Sequence, residues 1–122
     1  MSAPIVRALY MHFVVSEVHP FADGNGRVAR TVMNAELSHV GETRIVIPIV
    51  WRNEYLTSMR QVSRERNVQL YMRTLGFIWR WTAAMNWSDP PTTRLLLERT
   101  NALVDSTEAA ESGRRLVLPG TS

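Results

Sequence analysis

The densest chemistry in this sequence lies in His19-Pro20-Phe21-Ala22-Asp23-Gly24-Asn25-Gly26-Arg27-Val28-Ala29-Arg30. Pro20 disfavours α geometry at His19, so a helix arriving there stops near Val18 or His19. Asp23-Gly24-Asn25-Gly26 is turn chemistry, with two glycines free to take positive φ. Helical periodicity returns at about Arg27. The loop therefore feeds the start of a helix, where unpaired N–H groups and the positive dipole end face the same space. Such an end attracts anions. Arg27 and Arg30 fall on one face of it. Two guanidinium groups plus the amides of Gly24, Asn25 and Gly26 describe a polyphosphate cradle rather than a single-carboxylate site. Asp23 adds one hard oxygen, and one carboxylate plus phosphate oxygens is how Mg²⁺ is usually held. His19, with an ordinary pKa of ~6.5, is a natural general base on the rim of that cradle.

Composition narrows the choices. The 14 basic residues are all Arg, and no Lys occurs. That excludes a phosphate-loop lysine, a Schiff-base lysine and a lysine general base; side chains that hold phosphate here must be arginines, whose planar fork suits bidentate contacts. The formal charge of +3 is too mild and dispersed to indicate direct nucleic-acid binding. There is no Cys, which excludes disulfides, a thiolate zinc site and a cysteine nucleophile, and is compatible with a cytoplasmic setting. No apolar run approaches the ~18 residues of a membrane span, and Met1-Ser2-Ala3-Pro4 has neither the basic nor the apolar region of a secretory signal.

The 122 residues suit one domain, and 45% apolar content suits a globular one. Pro4 can open a helix over about Ile5 to Val18, with Ile5, Leu9, Phe13 and Val6, Tyr10 at helical spacing. A second helix spans about Arg27 to Val40, with Val28, Val32, Ala35 and Met33, Leu37, Val40 as apolar series, and Gly41 is placed as its stop. Arg44 to Val50 is β-branched but interrupted by Pro48, which predicts an extended connector or short edge strand. Asn53 is placed to cap a helix of about Glu54 to Arg66, with Tyr55, Met59 and Val62 inward. Another runs about Val68 to Met85, with Tyr71, Leu75, Ile78, Trp81 and Met85 inward. Pro91 suits the first turn of a last helix to about Val104, carrying Leu95, Leu96 and Leu103. The sum is an all-α bundle over residues 1–105, followed by a small, polar tail over 106–122.

The segment from His19 to Arg30 resembles the signature of the Fic (Fic/Doc) family, His-x-Phe-x-Asp/Glu-Gly-Asn-Gly-Arg-x-x-Arg. His19, Phe21, Asp23, Gly24, Asn25, Gly26, Arg27 and Arg30 match every specified position. The downstream helices also look like the C-terminal half of bacterial members. The resemblance implies a Fic-like helical bundle with the signature loop between two helices. It implies a protein adenylyltransferase that moves AMP from ATP to a Tyr, Ser or Thr hydroxyl of a target protein. His19 would deprotonate that hydroxyl, and Phe21 would be buried and hold the loop. Asp23 would coordinate Mg²⁺; Gly24, Asn25 and Gly26 would cup the phosphates; Arg27 would hold the β-phosphate and Arg30 the terminal one. A family core normally has several helices and a β-hairpin flap before the signature. Only 18 residues precede His19 here, so against the resemblance the N-terminal part of the core is missing: the chain is part of a longer protein or has a misplaced start, is a natural truncation that no longer functions, or is completed by a partner chain. Exposed apolar surface on the first helix, and self-association, follow from that. The alternatives are a Doc-like phosphotransferase, although Gly26 stands where those members carry Lys, and an inactive interaction module such as the partner of an antitoxin.

Other residues fit ordinary packing. His12 and His39 have no metal-ligand partners at useful spacing and read as surface or half-buried histidines. Trp79 and Trp81 lie two apart on a helix and cannot face the same way. Arg60, Arg64, Arg73 and Arg80 read as a solvated face. Thr107-x-x-x-Glu111 has the spacing of the family's inhibitory helix, with Ser112 where Gly or Asn is expected; on that reading Glu111 would pair with Arg30.

Overall fold

A computed structural model describes residues 3–18 and 25–120. Among them are six α-helices and no strand: α1 (Ala3–Val18), α2 (Asn25–His39), α3 (Arg52–Glu65), α4 (Val68–Ala84), α5 (Pro90–Arg99) and α6 (Ser106–Ser112), with a 3-10 turn at Ile49–Trp51. The all-α expectation holds. No helix among the described residues is long and apolar enough to cross a membrane.

The helices pack as two hairpins around one core. α1 lies against α2, and Arg7 near the start of α1 pairs with Glu36 near the end of α2 at 3.1 Å, so the two run antiparallel. α3 packs on α4, turned back by Arg66, which takes φ 53°, and by Asn67, whose side chain caps α4 by accepting from the Gln69 N–H. Ile5, Ala8 and Leu9 of α1, Met33 and Leu37 of α2, Tyr55 and Val62 of α3, and Tyr71, Leu75 and Ile78 of α4 form the main buried cluster.

The inward faces of α3 and α4 follow the sequence periodicity, and Trp81 is buried while Trp79 reaches the other side to donate to the Thr43 carbonyl. The faces of α1 and α2 require correction. α1 buries Ile5, Ala8, Leu9 and His12, and leaves Val6 and Tyr10 exposed. α2 buries Ala29, Met33 and Leu37, and leaves Ala35 and Val40 outside. A helix that is apolar nearly all round gives periodicity no preferred side, and packing chooses it. The expected exposed apolar surface on α1 is present at Val6 and Tyr10. Gly41 stops α2 as expected: it takes φ 77°, its N–H bonds to Ser38, and the Glu42 N–H reaches back to Leu37.

Residues 42–48 form an extended connector. It makes no ladder with another strand among the described residues; the Asn34 side-chain amide substitutes for one, accepting from the Ile45 N–H at 2.7 Å and donating to the Ile45 carbonyl at 3.0 Å. Thr82 Oγ1 accepts from the Val46 N–H on the opposite side. Pro48 forbids a longer ladder.

α5 ends at Arg99, with Leu95 and Leu103 exposed and Leu96 and Leu97 packed instead on a second cluster of Val50, Trp81, Met85, Ala102, Ala109 and Leu116. Trp51, stacked on Phe77 at 4.9 Å, touches both clusters. The segment expected to be a small, polar tail is integrated here through Ala109 and Leu116. Asn53 does not cap α3; it lies inside the first turn, and the buried Ser106 takes over, accepting from the Asn53 N–H at 3.1 Å and donating to the Val50 carbonyl at 2.9 Å. A cap supplied from 53 residues away leaves no local sequence signal. We expect Ser106→Ala to lower unfolding free energy in urea by about 1–2 kcal/mol, because it strands two backbone groups in a buried place.

Candidate functional site

α2 begins at Asn25, two residues before the expected start. Asn25 and Gly26 therefore belong to its first turn, and Arg27 and Arg30 to the turns directly behind the signature loop. His19, Phe21, Asp23 and Gly24 lie outside the described residues.

Arg27 is exposed and Arg30 half-buried. Both line a recess of about 480 Å³ with Thr31, Asn34, Ala35, Ser38 and Arg44. A second recess of about 550 Å³ shares Arg30 and Asn34 and is walled by Ile45 to Ile49, Arg52, Tyr55 and Leu56. Among the described residues, every charged residue lining either recess is an arginine. Arg44 is fixed by donating from Nε to Ser38 Oγ at 2.8 Å. The described charges of the groove are thus all positive, with Arg30 at the junction of its two halves.

Beneath Arg30 lies a buried polar chain that the sequence reading did not single out. His12, expected at the surface or half-buried, has no solvent exposure. Its Nε2 lies 2.6 Å from the Tyr55 hydroxyl and its Nδ1 3.0 Å from the Tyr71 hydroxyl, and Tyr71 donates to the Leu9 carbonyl at 2.7 Å. The proton positions follow from valence. A carbonyl can only accept, so Tyr71 spends its single proton on Leu9, and His12 Nδ1–H must donate to the Tyr71 oxygen. Burial and the nearby Arg30 charge lower the His12 pKa to about 4, so at neutral pH Nε2 carries no proton and accepts from the Tyr55 O–H. The Tyr55 oxygen is left with lone pairs, and Tyr55 shares the lining of the second recess with Arg30. Burial raises the pKa of both phenols, with Arg30 partly opposing this at Tyr55. Two signals hinted at this: His12 follows Ala8 and Leu9 at the spacing of a buried face, and a buried tyrosine needs a partner for its hydroxyl.

Glu111 is exposed near the end of α6, which packs on the 3-10 turn and α3. Among the described residues no ion pair joins it to Arg30. His39 is exposed in the last turn of α2, and Arg60, Arg64, Arg73 and Arg80 are exposed, as expected of a solvated face.

Comparison with known proteins bears on the same region. The Fic/DOC family profile matches residues 1–37. The matched stretch holds α1, the signature segment and most of α2, and with them Arg27 and Arg30. "Protein adenylyltransferase fic-1" of Caenorhabditis elegans is 41% identical over 56 residues, covering 46% of this chain and 11% of the relative. The protein of that name from Caenorhabditis briggsae shows the same figures. "Protein adenylyltransferase Fic" of Drosophila persimilis is 33% identical over 73 residues, covering 60% of this chain and 14% of the relative. The chain thus spans only a small part of the length of these curated relatives, which come from nematodes and insects rather than bacteria. No solved structure matches it.

The His12 environment sets a pH dependence. Unfolded, His12 takes up a proton near ~6.5; folded, it refuses one until about 4. Between those values the unfolded state binds more protons, so stability falls as pH drops from about 6.5 towards 4 and levels off below. The loss reaches roughly 3 kcal/mol. Urea titrations across this range should show that slope, and His12→Phe should flatten it.

Proposed function

We propose that this chain carries the phosphate-gripping part of a protein adenylyltransferase, with ATP as donor and a hydroxyl side chain of a target protein as acceptor. The observation that supports this best is the pair Arg27 and Arg30, lining one groove whose charged residues, among those described, are all arginines, directly behind an intact signature segment. The printed names of the relatives agree with it.

The chemistry is in-line displacement at the α-phosphorus. The acceptor oxygen forms a bond to that phosphorus and surrenders its proton to His19. The bond from the α-phosphorus to the oxygen bridging it to the β-phosphorus breaks, and pyrophosphate leaves with the electron pair. Arg27 and Arg30 hold the β- and terminal phosphates, and the amides of Gly24, Asn25 and Gly26 cup them. Catalysis rests on positioning and on charge stabilisation of the leaving group.

Asp23 supplies one carboxylate oxygen for Mg²⁺. Among the described residues no cluster of His, Cys, Asp or Glu could hold a metal ion by itself. A single carboxylate fits a Mg²⁺ that completes its shell with phosphate oxygens and water. Bound there, the ion would neutralise charge on the departing pyrophosphate. An ATP-supplied, cytoplasmic setting suits this chemistry. The parts of a Fic core that precede the signature in its relatives, supplied in a longer protein or by a second chain, would present the target segment.

Labelled ATP tests the reading. Transfer of α-label to protein supports adenylylation; transfer of γ-label instead indicates phosphotransfer, and absence of nucleotide binding indicates an interaction module. His19→Ala should abolish transfer while ATP affinity stays within about threefold, since a general base contributes to the transition state rather than to ground-state binding. Arg30→Ala should weaken ATP binding roughly tenfold or more, as expected for a charge-assisted contact. Glu111→Gly should leave transfer unchanged, because Glu111 is exposed on α6.

A further inference from the structure

We propose that the recess along α2 docks an acidic, extended segment of a partner protein, with a carboxylate of that segment gripped by Arg44 at the end away from the signature. This docking is separate from the nucleotide reading and stands whether or not Arg27 and Arg30 hold phosphate.

The recess follows one side of α2. Thr31, Ala35 and Ser38 are exposed, succeed one another at helical spacing and make its floor. Arg27 and Arg30 stand toward the start of the helix, and Arg44 is held beside Ser38 near its end. Arg27 and Ser38 are three turns apart, about 16 Å along the axis. A compact anion held by Arg27 and Arg30 does not reach across that length, whereas an extended peptide covers it in about five residues. The floor suits a peptide backbone. Its side chains are short, so a chain can lie close, and the hydroxyls of Thr31 and Ser38 can bond amide groups.

Arg44 is prepared for a carboxylate. Its neighbour Ile45 is tied to α2 through both backbone polar groups, by Asn34 at 2.7 and 3.0 Å. Its own Nε donates to Ser38 Oγ at 2.8 Å. A guanidinium has further N–H groups on its two Nη atoms, and these form the fork that matches a carboxylate. Part of the ordering that such a contact demands is therefore already met in the free protein. Among the described residues no ion pair reaches Arg44. Glu36, on the same helix, pairs with Arg7 at 3.1 Å instead, and Glu42 does not line the recess. An acidic partner supplies the counter-charge that the described residues do not.

Peptide binding to the full chain tests this. The probe is a fluorescein-labelled Gly-Glu-Glu-Gly-Ser-Gly peptide, read by anisotropy at ~0.1 M salt, with the Gln-Gln counterpart as control. Charges farther apart than the Debye length of ~10 Å are largely screened there. The acidic peptide should bind at least about fivefold tighter than its control, and Arg44→Ala should remove about fivefold of affinity, the upper end for an exposed ion pair. Ser38→Ala should cost about twofold by releasing Arg44. Should Arg44→Ala fail to fold, Ala35→Trp serves: it fills the exposed floor and should weaken the acidic peptide with Arg44 in place. Equal affinity for the two peptides, or an acidic peptide indifferent to Arg44→Ala, would overturn the proposal. Saturating Mg·ATP should change peptide affinity less than about twofold; displacement by ATP would put the peptide on Arg27 and Arg30 and overturn it too. Arg44-dependent peptide binding in a chain that binds no ATP would instead sink the adenylyltransferase reading and leave the docking site standing.

Discussion

A neutral imidazole held between two phenols organises this molecule. His12 has no water to fall back on, so both ring nitrogens must find partners inside the protein. It finds them on α3 and α4, and the hydrogen bonds that satisfy it also set how those helices dock on α1. Apolar contacts around it, from Leu9, Leu75, Ile78 and their neighbours, supply the drive toward burial. They are not directional. The polar chain is, and a half-satisfied version of it would cost more than an apolar core.

The same constraint connects packing to the site. α2 contributes Ala29, Met33 and Leu37 to the interior and presents Arg27 and Arg30 beside the groove. Arg30 stands where those two tasks meet: it is close enough to the core to depress the His12 pKa and open enough to line both recesses. Tyr55 shares the lining of one of those recesses. Asn34, one turn along α2, pins the connector through both polar groups of Ile45, which fixes the wall of the groove that carries Arg44. The arginine-lined surface is thus a product of helix docking rather than of any local run of basic residues.

The second cluster, around Trp81 and Val50, stabilises this arrangement from the far end. Trp51 and Phe77 join it to the main core, and Ser106 closes the start of α3 from a distant part of the chain. Because α3 carries Tyr55, the anchoring of that helix at its start also bears on the buried chain through His12. The segment after Asp105 is therefore part of what holds the site, through Ser106, Ala109 and Leu116.

The signature segment was legible in the sequence because its chemistry is local: turn glycines, a helix start and arginines three apart act over a few residues, and the helices followed from apolar spacing and stop signals such as Gly41. The inward sides of α3 and α4 were legible for the same reason, since each has a clear polar face. α1 and α2 lack that contrast, and only docking decided which of their apolar residues would be covered. The role of His12 was hidden because its partners lie 43 and 59 residues away. Ser106 and Asn34 were hidden likewise, as single polar side chains that become meaningful only beside the backbone groups they satisfy. Spacing along the chain determines what a residue is able to bond; the tertiary structure alone determines which buried donors and acceptors meet, and in this protein that meeting decides how α1, α3 and α4 dock.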